Sequence, residues 1–304
     1  MSAQKITIAE ITPRDGWQSV RDFIPTETKI ELIERMIEAG IERIQAGSFV
    51  SPKAIPQMRD ATEVFGSLTK KYPDVNIFAL VPNLRGAENA VACGVKEVSV
   101  VISVSESHNK ANINRTVAES FEGLKEIREA FPDITLNLDA ATAFGCPFEG
   151  ETPLPALLKY LEKAADVGVD SFDLCDTIGV AYPVQVERYI QEVRKNFSEI
   201  PLEVHIHDTR NMGIVNTWTA IKNGVTRVQT ALGGLGGCPF APGASGNTST
   251  EDLVYMLHKN GFDTGINFDK LVDVARYMRT AVNGNYSGHQ ITIDSAQRCV
   301  SMPA

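Results

Sequence analysis

The chain has 304 residues, 43% hydrophobic and 22% charged, which is enough apolar material for a sizeable core and argues against intrinsic disorder. A formal net charge of -9 argues against a surface built to neutralise nucleic-acid phosphates and leaves room only for a local basic pocket. The opening MSAQKITIAEITPRDG has no basic start followed by an apolar core, and no run approaches a membrane span, so a cytoplasmic protein with neither membrane nor nucleic-acid partners is expected.

Short β-rich runs alternate with amphipathic stretches along the chain. The first strand is predicted near residues 5–11 (KITIAEI), followed by TPRDGWQ and a helix near 27–39. Strands are predicted near 42–46, 76–81, 96–103 and 134–140, with a helix over 120–131 before the last of these. A helix over 153–168, a strand over 170–174, a helix over 183–197, strands over 202–206 and 226–230, and a helix over 248–261 follow. Several helices open with Thr or Ser caps or an early Pro, and two close on Gly.

Short strands alternating with helices imply parallel pairing through right-handed crossovers, and eight such repeats are the number that closes an α/β TIM (β/α)8 barrel. An open, doubly wound sheet is the structural alternative. The barrel with an extra helix after about residue 262 is expected to form one catalytic domain over 1–283, with 284–304 as a tail acting either as a lid or as a packed extension. No internal repeat, low-complexity tract or domain linker interrupts it. A barrel of this size is expected to pair with further copies through its outer helices.

In such a barrel the reactive groups follow the strand ends. TPRDGWQ supplies Arg14, Asp15 and Gln18, and the seventh strand ends in HIHDT, where His205 and His207 alternate and so face one side. Two of only five histidines at one catalytic strand end point to a shared metal ion in preference to a pair of hydrogen-bonded core rings. Asp15 completes the set from a strand close to the seventh once the barrel closes. Mixed carboxylate and imidazole ligands suit Mg2+ or Mn2+, with Zn2+ also compatible. The five cysteines, Cys93, Cys146, Cys175, Cys238 and Cys299, show no CxxC spacing, so reduced thiols are expected. Gly233–Gly246 holds six glycines and two prolines around Cys238 and lacks the P-loop and dinucleotide patterns, so it reads as a mobile catalytic loop carrying a thiol.

EITPRDGWQ, SFVSPKAIPQM, VPNLRGAENAV, GCPFEG, DTIGV, HIHDT and GGLGGCPFAPGASGNTSTEDLVYML together resemble the 3-hydroxy-3-methylglutaryl-CoA lyase family over about residues 5–283. The last motif is long and specific, whereas RDG and HxHDT are shared among related lyases and condensing synthases. The resemblance implies a metal-dependent TIM-barrel lyase that cleaves a 3-hydroxyacyl-CoA by a retro-Claisen step to acetyl-CoA and a keto acid. It implies Asp15, His205, His207 and Asn247 as metal ligands, Arg14 as the group that stabilises the enolate, Cys238 as its proton donor, and Asp176 as the aspartate near the reacting hydroxyl. Asp or His fits the base that the tertiary alcohol requires.

The chain departs from the family pattern in the pocket. Gln45 stands where the family has a glutamate, Trp17 stands where leucine is usual, and Arg210-Asn211-Met212 replace an aromatic residue and glycine after HDT. Neutral Gln45 and added Arg210 predict a related acyl-CoA substrate with a different acyl group, citramalyl-CoA being one possibility, with Gln18, Gln45 and Arg210 contacting it. A condensing synthase on the same metal site is the second reading, against which the GGLGGCP loop argues. A barrel without catalysis is the third, and the joint presence of the ligand set, Arg14 and Cys238 argues against it.

Overall fold

The computed structural model describes residues 3–237 and 246–293. Its strands are β1 (Thr7–Glu10), β2 (Arg43–Ser48), β3 (Asn76–Leu80), β4 (Glu97–Ser103), β5 (Thr135–Ala141), β6 (Ser171–Asp176), β7 (Leu202–Ile206) and β8 (Arg227–Thr230). They close into a parallel barrel in chain order, with β8 paired to β1 in the register Ala9 to Gln229. The expected TIM barrel is therefore the observed fold, and each strand lies where the alternating pattern predicts it.

The helices follow from capping and apolar spacing. Thr26–Glu38 (α1) buries Leu32, Ile33 and Met36 on one stripe, and Leu154–Val167 (α6) starts after Pro153 and ends at left-handed Gly168. Val117–Ala130 (α5) carries a capping box in which the Thr116 side chain accepts from Glu119 N and the Glu119 carboxylate accepts from Thr116 N. Ala61–Lys71 (α2), Leu84–Ala92 (α3), Glu106–Ile113 (α4) and Pro183–Asn196 (α7) also lie between barrel strands, and Gly213–Lys222 (α8) follows β7. Thr250–Lys259 (α9) is capped by Ser249, and Phe268–Ala281 (α10) by Asn267. The helix expected over 248–261 thus begins after its Ser cap.

After α10 the chain runs along the barrel rim. His289 N donates to Asp252 Oδ2 at 2.8 Å, Ser287 N donates to Gly233 O at 3.0 Å, and Ile291 is buried. Two features are absent from the alternating pattern: a short helix at Glu106–Ile113 and a hairpin pairing Gly145–Cys146 with Gly150–Glu151, both in loops that follow barrel strands.

Alternation along the strands divides apolar from polar. Val98, Val100 and Ile102 of β4 belong to the hydrophobic core shared with the helices. Glu97 of the same strand bonds Arg43 Nε at 3.1 Å and Asn137 Nδ2 at 2.6 Å across the barrel interior, and Arg43 also pairs with Glu203. This deep polar layer spans β2, β4, β5 and β7, and the Arg43 guanidinium also stacks on the Phe78 ring at 4.4 Å. Burial alone would lower Arg43 and raise Glu97, but the pull of Glu203 and Glu97 reverses the first and that of Arg43 reverses the second, so each stays charged. Such a network fixes which groups meet more than it adds net stability, because desolvation offsets much of the Coulomb gain.

Candidate active site

TPRDG forms a single π-helical turn, Thr12–Gly16, directly after β1. Arg14 N, Asp15 N and Gly16 N all donate to Ile11 O, at 3.0, 2.8 and 3.5 Å, which turns the Arg14 and Asp15 side chains over the barrel mouth. Single π turns often occur where a side chain must be aimed. Both residues are buried, at 7% and 5% exposure.

From β7 and the residue after it come His205 and His207, whose ring centroids lie 5.1 Å apart. Asn247 stands opposite His207 in an isolated antiparallel bridge. Its Oδ1 lies 2.6 Å from His205 Nε2, and its Nδ2 donates to Asp15 Oδ2 at 2.9 Å and to Leu235 O at 3.0 Å. His207 Nε2 lies 3.8 Å from Asp15 Oδ2. Single ligand atoms of Asp15, His205 and His207 all fall within 4.8 Å of one another.

Glycine is required where the loop passes this cluster. Gly236 has φ +139°, and a Cβ there would collide with Asn247 Nδ2; a Cβ on Gly246 would collide with the backbone at Gly234 and Gly236.

The protonation states suit a cation. Burial would raise the Asp15 carboxyl, but Arg14, His205, His207 and Asn247 together outweigh it and hold it at about 2. Both imidazoles contribute little charge at neutral pH, because burial pushes His205 down to about 3 and lowers His207 as well. An ionised carboxylate, two neutral imidazoles and an amide oxygen form a mixed oxygen and nitrogen donor set that fits a divalent metal. His207 Nδ1 is buried with no hydrogen-bond partner among the described residues, so little holds that ring in one tautomer.

Arg14 is fixed from two sides. Its guanidinium pairs with Asp15, and its Nε donates to Gln45 Oε1, while Gln45 Nε2 donates to Ser99 Oγ at 2.8 Å. The β2 to β3 register shifts between Gln45 and Gly47, directly after this glutamine. Gln18 Nε2 donates to Asp15 Oδ1 at 2.9 Å. Gln18 and Gln45 thus join the ligand cluster through Asp15 and Arg14.

Asp176 and Arg210 both bond the Ile178–Ala181 turn after β6. Asp176 accepts from Val180 N at 2.9 Å and Ala181 N at 3.0 Å, and exposed Arg210 donates to Gly179 O at 2.8 Å and Ile178 O at 3.2 Å. Burial pushes the Asp176 carboxyl up to about 6 against the pull of those amides and Arg210. Cys238 lies outside the described residues, as does most of its loop; Trp17 is fully buried in the core.

Sequence reading missed the layer beneath the site: Ser99, Asp139, Asp173 and Cys175. Burial drives the Asp139 carboxyl up to about 7 against the attraction of Arg14, and drives Asp173 well above its usual range with Asp139 and Glu203 adding to the effect. A usable signal was present. Asn137-x-Asp139, Ser171-x-Asp173-x-Cys175 and Glu203-x-His205-x-His207 all alternate at period two within otherwise apolar strands.

Comparison with known proteins gives one consistent result. The HMGL-like family model matches residues 5–278. The chain is 40% identical over 277 residues to hydroxymethylglutaryl-CoA lyase YngG of Bacillus subtilis, covering 90% of this chain and 92% of that protein. It is 40% identical over 282 residues to the mitochondrial hydroxymethylglutaryl-CoA lyase of Homo sapiens, covering 92% and 86%. Among solved structures, an HMG-CoA lyase from Acinetobacter baumannii in complex with coenzyme A and 3-methylmalate superposes with a TM-score of 0.91 at 40% identity, covering 98% of each chain. Sequence and fold agree over almost the whole length, and the chain belongs to the HMGL-like family of carbon-carbon lyases.

Proposed function

We propose that the protein cleaves a 3-hydroxyacyl-CoA of the 3-hydroxy-3-methylglutaryl type by a retro-Claisen reaction, giving acetyl-CoA and a keto acid. The observation that carries this is the convergence of Asp15, His205, His207 and Asn247 beside a buried, doubly held Arg14. Those four residues would hold a divalent ion, Mg2+ or Mn2+ through the carboxylate and amide oxygens, with Zn2+ compatible through the imidazoles. A bound cation would polarise the substrate hydroxyl and the keto oxygen that forms from it.

The remaining steps fall to the chain's own groups. Asp176, raised to about 6, exchanges a proton readily near neutral pH and suits the removal of the hydroxyl proton, with His205 as the other candidate base. As the carbon-carbon bond breaks, its electron pair moves onto the carbon next to the thioester carbonyl and spreads onto the carbonyl oxygen, and the Arg14 guanidinium faces the resulting enolate charge. Gln45 and Asp15 hold that guanidinium in place, so little reorganisation is needed when charge develops. Protonation of the enolate carbon is assigned to Cys238 on the glycine-rich loop. Gln18 and Gln45 are assigned to the substrate pocket, and Arg210 to a carboxylate or a carrier phosphate.

The test is direct. Metal-depleted protein is incubated with 3-hydroxy-3-methylglutaryl-CoA, with and without Mg2+ or Mn2+, and acetyl-CoA is followed. Metal-dependent acetyl-CoA release is expected, and its absence with this and related acyl-CoAs would overturn the proposal. Net release of free thiol from acetyl-CoA plus keto acids would instead favour the condensing direction.

One observation favours a changed acyl group within this class. Neutral Gln45 faces Arg14, while the buried carboxyls of Asp139, Asp173 and Glu203 lie beneath. Gln45 takes a carboxylate away from the side of Arg14, so an acyl-CoA with an acyl group other than 3-hydroxy-3-methylglutaryl is expected to show the higher kcat/KM.

A further inference from the structure

Beneath the Asp15 cluster lies another convergence of donor groups. Asp173 and Cys175 alternate on β6 and share a face, and Cys175 stands opposite His205 in the β6 to β7 register. A carboxylate oxygen of Asp173, the thiol sulfur of Cys175 and a ring nitrogen of His205 all lie within 4.8 Å of one another. That spread is compatible with ligands around one small ion held at about 2.0 to 2.3 Å from each donor.

The surroundings leave this group short of positive charge. Cys175 Sγ donates weakly to Asp173 Oδ2 at 3.5 Å, but Asp173 Oδ1 is buried with no hydrogen-bond partner among the described residues. Glu203 Oε2 is likewise unpartnered, and Arg43 is already engaged by Glu97 and Glu203. Asp173 is 0% exposed, whereas Cys175 at 7% and His205 at 5% keep contact with the barrel mouth. A buried carboxylate oxygen lacking a donor is costly, and either a proton or a cation relieves it. The reaction above makes no use of Asp173 or Cys175.

We propose that Asp173, Cys175 and His205 form a second cation position, selective for a thiophilic divalent ion of the zinc or cobalt class, which competes with the Asp15 position for His205. The thiolate sets the selectivity: Cys175 sulfur favours zinc-class ions and disfavours Mg2+ and Mn2+, whereas the carboxylate and amide oxygens of the Asp15 set accept those harder ions beside its two imidazoles. Uptake releases the Cys175 proton to solvent. An ion held there withdraws His205 from the upper set and slows the reaction. The inference rests on the proposed function only through that shared histidine.

Co2+ titration of the metal-depleted full chain tests it, read by the near-ultraviolet charge-transfer absorption of a thiolate bound to cobalt. The band is expected in the wild type and in Cys238→Ser and Asp15→Asn, and is lost in Cys175→Ser, which still binds Mn2+ by electron paramagnetic resonance. Saturating Mg2+ is expected to weaken the wild-type band several-fold. Asp173→Asn keeps the band and weakens Co2+ affinity about ten-fold, a second reading should Cys175→Ser misfold by circular dichroism. No wild-type band, a band surviving Cys175→Ser, or one lost in Cys238→Ser overturns the site. Indifference to Mg2+ overturns the sharing of His205. A band without acetyl-CoA release would sink the proposed function and leave the cation position standing.

Discussion

The Asn247 amide donates to Asp15 Oδ2 at 2.9 Å, joining two residues 232 positions apart in the chain, and turns its own oxygen toward His205. One side chain thereby ties the turn after β1 to the strand β7. Asp15→Asn removes the carboxylate that this arrangement orients. Metal affinity measured by calorimetry is expected to fall at least about 100-fold, beyond the roughly 10- to 100-fold usual for outer partners of a metal ligand. Unchanged affinity would place the ion elsewhere.

Gly236 carries a different consequence. At φ +139° and against Asn247 Nδ2, it has no room for a methyl group. Gly236→Ala is expected to displace Asn247, weakening metal binding and activity together about ten-fold or more, the scale of lost ligand orientation. Thermal unfolding would separate this outcome from simple destabilisation, because a small shift in Tm with a large loss of metal affinity is expected.

Gln45 holds Arg14 on one side and Ser99 on the other. Gln45→Ala leaves the guanidinium held by Asp15 alone and Ser99 without this partner. A hydrogen bond to a charged group is worth about 1.5 to 3 kcal/mol, so kcat is expected to drop by roughly 10- to 150-fold. KM should change far less, since the loss falls on charge that develops in the transition state. A change confined to KM would show that Gln45 contacts only the ground-state substrate.

Glu251 predicts a pH effect on stability. Its Oε2 accepts from Gly233 N at 2.8 Å, and burial, with Asp252 adding, pushes its carboxyl from 4.5 up to about 8. The stabilisation tied to the protonated folded form is fully present below the unfolded value of 4.5 and is lost as pH rises toward 8. Glu251→Gln keeps an acceptor for Gly233 and does not titrate. Urea unfolding is expected to show a wild-type loss of a few kcal/mol between about pH 5 and pH 8, at about 1.4 kcal/mol per unit, and a markedly shallower loss in the variant. Parallel profiles would rule out a raised Glu251.

Strand positions, helix faces and the His205, His207 pair were legible in the sequence because they depend on local period: alternation puts both rings on one face whatever the rest of the chain does. RDG and HIHDT marked the strand ends for the same reason. Tertiary structure alone decided the partners. Barrel closure in the order β1-β8-β7 sets Asp15 near His207, the π turn aims Arg14, and the pairing of β1 with β2 brings Gln45 to it. The short helix at Glu106–Ile113 follows from the Ser105 cap with weak amphipathic character, so periodicity gave little sign of it. The polar layer of Asp139, Asp173 and Cys175 shows the same division: its alternation is written in the strands, but the pKa of each carboxyl depends on low-dielectric burial and on charges from other strands.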